Sequence, residues 1–249
     1  MKFPGADWET GAVGSDVDGA VVQREFANQF TDPDSYGTTL AMVVIHRGRV
    51  VAERYGTDVT ASTKLISWSM AKSITDALVG MCVKDGILSV EERAAVQAWA
   101  GDERSAITMQ HLLEMRSGLR WVEDYVDGET SDVIAMLFGI GKDDHARYAI
   151  ECPLEHEPGS TWVYSSGTTN VITRILGNLL GDVPGSHAHM DRLLGRLFGT
   201  LGMSADARFD AAGTFVGSSY VYASARDFAR FGTLYLHDGV WGEIGRAHV

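Results

Sequence analysis

The chain has 249 residues, with 21 Lys+Arg against 33 Asp+Glu and a formal net charge of −12; that balance argues against a sequence-independent nucleic-acid binder, which depends on many Lys/Arg contacts to phosphate. A content of 45% hydrophobic and 22% charged residues excludes disordered and collagen-like chains and leaves enough apolar side chains for a substantial core. Cys82 and Cys152 stand apart without a C-x-x-C pattern, so they read as buried small hydrophobes, not as a zinc ribbon or a disulfide framework.

From the start, Met1 to Asp7 lacks the apolar core of a signal peptide, and no window reaches the roughly eighteen apolar residues of a membrane span. The chain as it stands therefore reads as cytoplasmic, with export of a longer protein left open. Thr38 to Ile45 and Arg49 to Tyr55 are β-rich runs joined at His46-Arg47-Gly48, a hairpin signal in which Gly48 supplies positive φ. Ser67 to Lys84 carries apolar residues at spacings of three and four (Met70, Ile74, Ala77, Leu78, Met81, Cys82) and predicts a helix stopped by Asp85-Gly86. Thr108 reads as the N-cap of a helix through Leu112, Leu113 and Met115, and Ser131-Asp132 as the cap of Val133 to Phe138. Pro158-Gly159 predicts a turn before Trp162-Val163-Tyr164. Thr168 to Leu180, Asp191 to Leu197 and Ala225 to Leu236 complete the helical set. Two strands make a poor sheet, so partner strands are expected beyond the end of the chain. The last seven residues, Glu243 to Val249, read as the in-frame translation of a sequencing adapter, so the natural protein is expected to continue past Gly242.

The sharpest chemical signal is Ser69-Met70-Ala71-Lys72. Residues i and i+3 share a helix face, so Ser69 Oγ and Lys72 Nζ can meet. Near a helix N-terminus the free N–H groups and the dipole favour an oxyanion and disfavour an ammonium, which suits a lysine acting as base toward a serine nucleophile. On the tetrapeptide alone, a chance pairing on a surface helix is the commoner explanation.

The surrounding run, Leu65 to Ile74, resembles the nucleophile helix of the serine β-lactamase and penicillin-recognising superfamily, whose S-x-x-K is a catalytic motif. Leu112-Leu113-Glu114-Met115-Arg116-Ser117-Gly118-Leu119, Pro158 to Gly167, Leu201-Gly202-Met203 and Ala223 to Gly232 follow in the family's order. They are similar to the branch holding class C β-lactamases, family VIII esterases and 6-aminohexanoate-dimer hydrolases. The resemblance covers roughly residues 38 to 241. It implies an α+β fold of the β-lactamase/D,D-peptidase type, an antiparallel sheet flanked by helices plus a helical region, here without its C-terminal strands. One domain spans 1–249, with the hairpin in 1–65, a mostly helical part in 66–242 and the adapter-like tail in 243–249.

The resemblance implies that Tyr164 takes the place of the second catalytic residue, the tyrosine of a Y-x-N or Y-x-S element, and that Ser166 stands where class C β-lactamases carry Asn. A hydroxyl cannot make the two-ended contact of a carboxamide with a substrate amide, which favours esters or small linear amides. The implied catalytic set is Ser69, Lys72 and Tyr164, with Ser166 and Ser218 at the substrate and no metal or cofactor. The Gly213 to Tyr220 segment reads equally as a pocket border or a Gly/Ser surface loop. The K-T-G type of third motif, which brings the second oxyanion donor, does not occur in the chain. A D,D-peptidase or β-lactamase is the alternative within the class, and an inactive penicillin-sensor-like binding module the alternative outside it. A small-molecule ester or amide is the expected partner, and the oligomeric state is left open.

Other signatures are missing: G-x-S-x-G, G-x-x-x-x-G-K-[ST] and H-E-x-x-H do not occur. Ser131-Asp132-Val133 mimics an S-D-N element but lacks the amide. His187 and His189 form an H-x-H pair without a nearby third ligand and read as exposed histidines. Glu123, Asp124, Asp127, Glu129 and Asp132 make an acidic stretch that reads as a solvated loop or as the rim of a site that disfavours anions.

Overall fold

The computed structural model describes residues 8–126 and 131–241. The adapter-like tail, the first seven residues, and Asp127 and Glu129 of the acidic stretch lie outside them. In chain order the elements are α1 (Gly19–Thr31), α2 (Pro33–Tyr36), β1 (Ala41–His46), β2 (Arg49–Tyr55), β3 (Leu65–Ile66), α3 (Ala71–Lys84), α4 (Met109–Leu113), α5 (Asp132–Phe138), α6 (His145–Ile150), α7 (Ser166–Leu180), α8 (Ala188–Leu201), β4 (Asp206–Ala207), β5 (Val221–Ala223) and α9 (Ala225–Leu236). Among the described residues no helix is long and apolar enough to cross a membrane. The described residues group into two compact units, one formed by 8–65, 198–205 and 222–241, the other by 66–126, 131–197 and 206–221.

In the first unit β1 and β2 pair antiparallel from Ala41↔Tyr55 to His46↔Arg49. Arg47 and Gly48 both take positive φ, +51° and +77°, the geometry of a two-residue turn whose twist matches the strands. The hairpin is better covered than two strands alone would be. Residues 9–11 lie along β2, with the Val50 N–H donating to Glu9 O and the Gly11 N–H to Val50 O. α1 packs on β2 and α9 on β1. α1 escapes prediction because only Phe26 of its thirteen residues is buried, so its apolar pattern is faint. Arg226 of α9 grips Glu53 of β2 through both nitrogens Nε and Nη2, and this pairing holds the Glu53 carboxyl below its ordinary range.

The second unit is helical and built around Trp99, Ile74, Leu78, Leu112, Ile172 and Leu176, all of them essentially inaccessible. Of the stripe predicted between Ser67 and Lys84, Ile74, Ala77, Leu78, Met81 and Cys82 form the buried face of α3, whereas Met70 is half-exposed in the 3-10 turn Trp68–Met70 that precedes the helix. α4 opens on a capping box: Thr108 Oγ1 accepts from the His111 N–H and His111 Nδ1 accepts from the Thr108 N–H. It stops two residues short of Met115, whose φ of +57° cannot continue a helix. Ser131 holds the N-cap position of α5, but its side chain makes no capping bond. The neighbouring Asp132 is buried instead and accepts from the Val122 N–H and the Tyr148 hydroxyl, each at 2.8 Å. α7 starts two residues before the predicted Thr168, because Ser165 Oγ caps it by accepting from the Thr168 N–H. Cys82 and Cys152 are buried free thiols, and burial pushes both up to about 11.

The 214–219 segment is buried, not a surface loop. It lies so close to α3 and α7 that a Cβ on Gly217 would run into Thr75 Oγ1 and Thr173 Cγ2. The side chains that touch it are hydrogen-bonded to it: Thr75 Oγ1 donates to Gly217 O and Thr173 Oγ1 to Phe215 O. Gly217→Ala is therefore an overpacking change expected to cost about 1–3 kcal/mol, read as a lower urea midpoint at unchanged m value.

The side chain of Asp210, ahead of that segment, is wholly buried, and its carboxylate lies 3.2 Å from His145 Nδ1. Burial raises its carboxyl, but the His145 ring and the backbone N–H groups of Thr214 and His145 outweigh burial and hold it below the ordinary range. A depressed carboxyl contributes stability above the unfolded value of about 4, and loses it as pH falls through the folded value. The stability gap between wild type and Asp210→Asn is thus expected to be full at neutral pH and to shrink in acid. Urea unfolding of both proteins across that range checks it, and a constant gap refutes it.

Candidate active site

Ser69 sits in the 3-10 turn that leads into α3. The turn is anchored one residue earlier by Ser67, which is buried: its N–H donates to Val221 O at 2.8 Å, its hydroxyl donates to Ser219 O and accepts from the Val221 N–H. Between anchor and Ser69, Trp68 takes φ +43°, a conformation that a bulky residue adopts only when its surroundings enforce it. The half-exposed Trp68 ring packs against Tyr220 at 6.1 Å.

Lys72, three residues after Ser69 and the second residue of α3, places Nζ 3.1 Å from Ser69 Oγ, 2.9 Å from Ser166 Oγ and 3.0 Å from the Ser218 carbonyl. Three segments thus meet at one amine: the α3 turn, the first residue of α7 and the buried 214–219 segment. Tyr164 approaches the same amine through its ring face, 5.0 Å from Nζ to the centroid, and not through its hydroxyl. A cation over an aromatic face is attracted by the ring quadrupole. The Tyr164 ring is partly exposed and lies beside the exposed Trp162, with centroids 6.3 Å apart.

Of the sequence-predicted residues, Ser69, Lys72, Tyr164 and Ser166 come together. Ser166 and Ser218, assigned by sequence to the substrate, are both buried and both turn toward Lys72. Ser218 presents only its carbonyl there, since its hydroxyl bonds to Asn170 Nδ2 and Ser219 Oγ inside the unit. His187 and His189 lie elsewhere in that unit, the first stacked on Phe209 at 3.9 Å and the second hydrogen-bonded through Nδ1 to the Asp182 carboxylate. Among the described residues no cluster of His, Cys, Asp and Glu has the form of a metal site.

One member of the site was not singled out by sequence. Glu123, in the acidic stretch, turns inward, and Ser166 donates to it twice, from its N–H and its hydroxyl, each at 2.7 Å. Trp121 Nε1 and the Tyr125 hydroxyl donate to the same carboxylate at 2.8 and 3.3 Å. Burial and then the Glu123 charge raise the Tyr125 phenol. Trp121 preceding the acidic run was the available sequence signal, because a buried indole N–H needs an acceptor nearby.

A family model described as Beta-lactamase matches residues 34–245. No curated protein matches the chain in sequence. Among solved structures, a Bacillus anthracis protein assigned as a 6-aminohexanoate-dimer hydrolase superimposes with TM-score 0.76 at 21% identity, covering 99% of this chain and 65% of that one. A β-lactamase/D-alanine carboxypeptidase from Pseudomonas syringae gives TM-score 0.65 at 15% identity, with 92% and 67% covered. A penicillin-binding protein from Bacillus halodurans gives 0.61 at 15%, with 82% and 72% covered. The chain therefore spans a little under two thirds of the length of the first of these. At such identities the likenesses speak for the fold, which is the α+β arrangement of β-lactamases and D,D-peptidases. With a family model matching most of its residues, the chain belongs to the β-lactamase family.

Proposed function

We propose that the chain carries the acylation machinery of a serine hydrolase acting on carboxylic esters or small linear amides, with Ser69 as nucleophile, Lys72 as its base and Tyr164 as proton relay. The observation that carries this reading is the 3.1 Å approach of Lys72 Nζ to Ser69 Oγ at the start of a helix. Neutral Lys72 takes the Ser69 proton as Oγ attacks the substrate carbonyl, and the carbonyl π pair moves to oxygen. The oxyanion needs preorganised donors, and the Ser69 N–H in the first turn is one. Collapse of the tetrahedral species expels the alkoxide or amine, which takes a proton through Tyr164. Water then releases the acyl group, and the proton returns to Ser69.

Two features favour esters and small linear amides over β-lactams. The Ser166 hydroxyl is committed to Lys72 and Glu123, so it does not replace the carboxamide that a β-lactamase of class C uses at this position. The exposed rings of Trp68, Trp162 and Tyr164 offer apolar surface to an acyl or alcohol group.

Hydrolysis of p-nitrophenyl butyrate tests the reading. Ser69→Ala is expected to lower the rate by about a thousandfold or more, and Tyr164→Phe by about a hundredfold. Turnover that survives Ser69→Ala overturns the assignment. Cleavage of a chromogenic cephalosporin without ester cleavage favours the β-lactamase alternative, and acylation without turnover favours a sensor.

A further inference from the structure

We infer that Glu123 is a positioning residue that fixes which way the proton moves at Lys72, acting through the Ser166 hydroxyl. The inference rests on the reading of Ser69 as nucleophile and Lys72 as its base. Its content is a count of protons and lone pairs around one nitrogen.

A neutral amine has two N–H groups and one lone pair, and Lys72 Nζ has three oxygen neighbours. The Ser218 carbonyl can only accept. Ser166 Oγ has a single proton, and it points at Glu123 Oε1, 2.7 Å away, because a carboxylate has no proton to give. What Ser166 shows to Lys72 is a lone pair. Two neighbours therefore occupy the two N–H groups, and the amine lone pair is left facing Ser69 Oγ, the one neighbour with a proton free to transfer. When that proton arrives, the ammonium has three N–H groups, and the same three neighbours are in place to receive them. Without the carboxylate, the Ser166 hydroxyl is free to rotate and offer its own proton to the amine in competition with Ser69.

The carboxylate is built for this. Oε2 receives the Ser166 N–H and the Trp121 indole N–H, two donors that cannot reverse, while Oε1 receives the hydroxyls of Ser166 and Tyr125, two groups that can. In Glu123→Gln the carbonyl oxygen must therefore take the Oε2 place and the amide NH2 the Oε1 place. There it donates to Ser166 Oγ and turns the hydroxyl proton toward Lys72.

The test uses the rate of covalent labelling of Ser69 by a fluorophosphonate probe, read by peptide mass spectrometry. This measures nucleophile activation without reference to the natural substrate. Glu123→Gln is expected to slow labelling about tenfold or more. In a Ser166→Ala background, which removes the competing hydroxyl, the same change is expected to alter the rate by less than about twofold. Where the Gln variant does not fold, as judged by circular dichroism, Glu123→Ala is expected to show the same dependence on Ser166. An equal loss with and without the Ser166 hydroxyl overturns the inference, since it means Glu123 only holds the 121–126 segment in place. Normal labelling of Glu123→Gln overturns it as well, leaving the nucleophile assignment intact. Failure of the folded wild-type chain to label overturns that assignment, and the inference with it.

Discussion

The amine of Lys72 is the point on which the second unit converges. It is held by oxygens from three segments that are far apart in sequence, and only one of these, Ser69, belongs to its own helix turn. The other two have to be brought in by tertiary packing. Ser166 arrives because α7 begins at that residue, capped by Ser165. The Ser218 carbonyl arrives because the 214–219 segment is pressed between α3 and α7, closely enough that a Cβ at position 217 would run into Thr75 and Thr173. An error in either placement leaves the amine with one partner too few, in surroundings where an unmet hydrogen bond costs about 1–3 kcal/mol.

This explains an otherwise odd core. The N-terminal half of α7 buries a polar set, Ser166, Thr168, Thr169, Asn170 and Thr173, beside the aliphatic Val171, Ile172, Ile175 and Leu176, where a helix that only packed would carry aliphatic residues throughout. Asn170 spans the gap to Ser218 in both directions, donating to its hydroxyl and accepting from its N–H. Thr173 reaches Phe215 O, and Thr75 reaches Gly217 O from the α3 side. Such a network favours one arrangement over near neighbours, because a small shift leaves several groups unsatisfied together. The polar set of α7 is in this sense the scaffold that fixes where the Ser218 carbonyl points.

The sequence makes some of this legible and hides the rest for identifiable reasons. The meeting of Ser69 and Lys72 is a local consequence of helical spacing, so four residues suffice to anticipate it. The hairpin is equally local, down to its turn at Arg47-Gly48. Glu123 is different, because a carboxylate among Asp124, Asp127 and Glu129 has the composition of a solvated loop. Only the fold shows that Glu123 faces inward. Ser131 and Asp132 divide in the opposite way: the residue that looks like a cap makes no capping bond, and its charged neighbour is buried by donors from Val122 and Tyr148. Ser166 and Ser218 were legible as members of the site but not as to which partner they face, which depends on rotamer and backbone direction, not on position in a motif.

The strain at Trp68 belongs to the same design. A non-glycine residue in the left-handed region costs about 1–3 kcal/mol, and persists only where neighbouring contacts over-determine it. Here they do so on the preceding side, where buried Ser67 is fixed by Val221 and Ser219, and on the following side, where α3 is locked by the packing of Ala71, Ile74 and Thr75. Relaxing Trp68 to an ordinary helical φ would extend the helix smoothly backward from Ala71. The Ser67 anchor and the Ser69 hydroxyl would then move relative to each other, and the approach of Oγ to a lysine amine already fixed by Ser166 and Ser218 would be lost. The backbone cost at Trp68 is thus tied to the same geometry as the polar core: both hold Ser69 Oγ and Lys72 Nζ within hydrogen-bonding distance of each other.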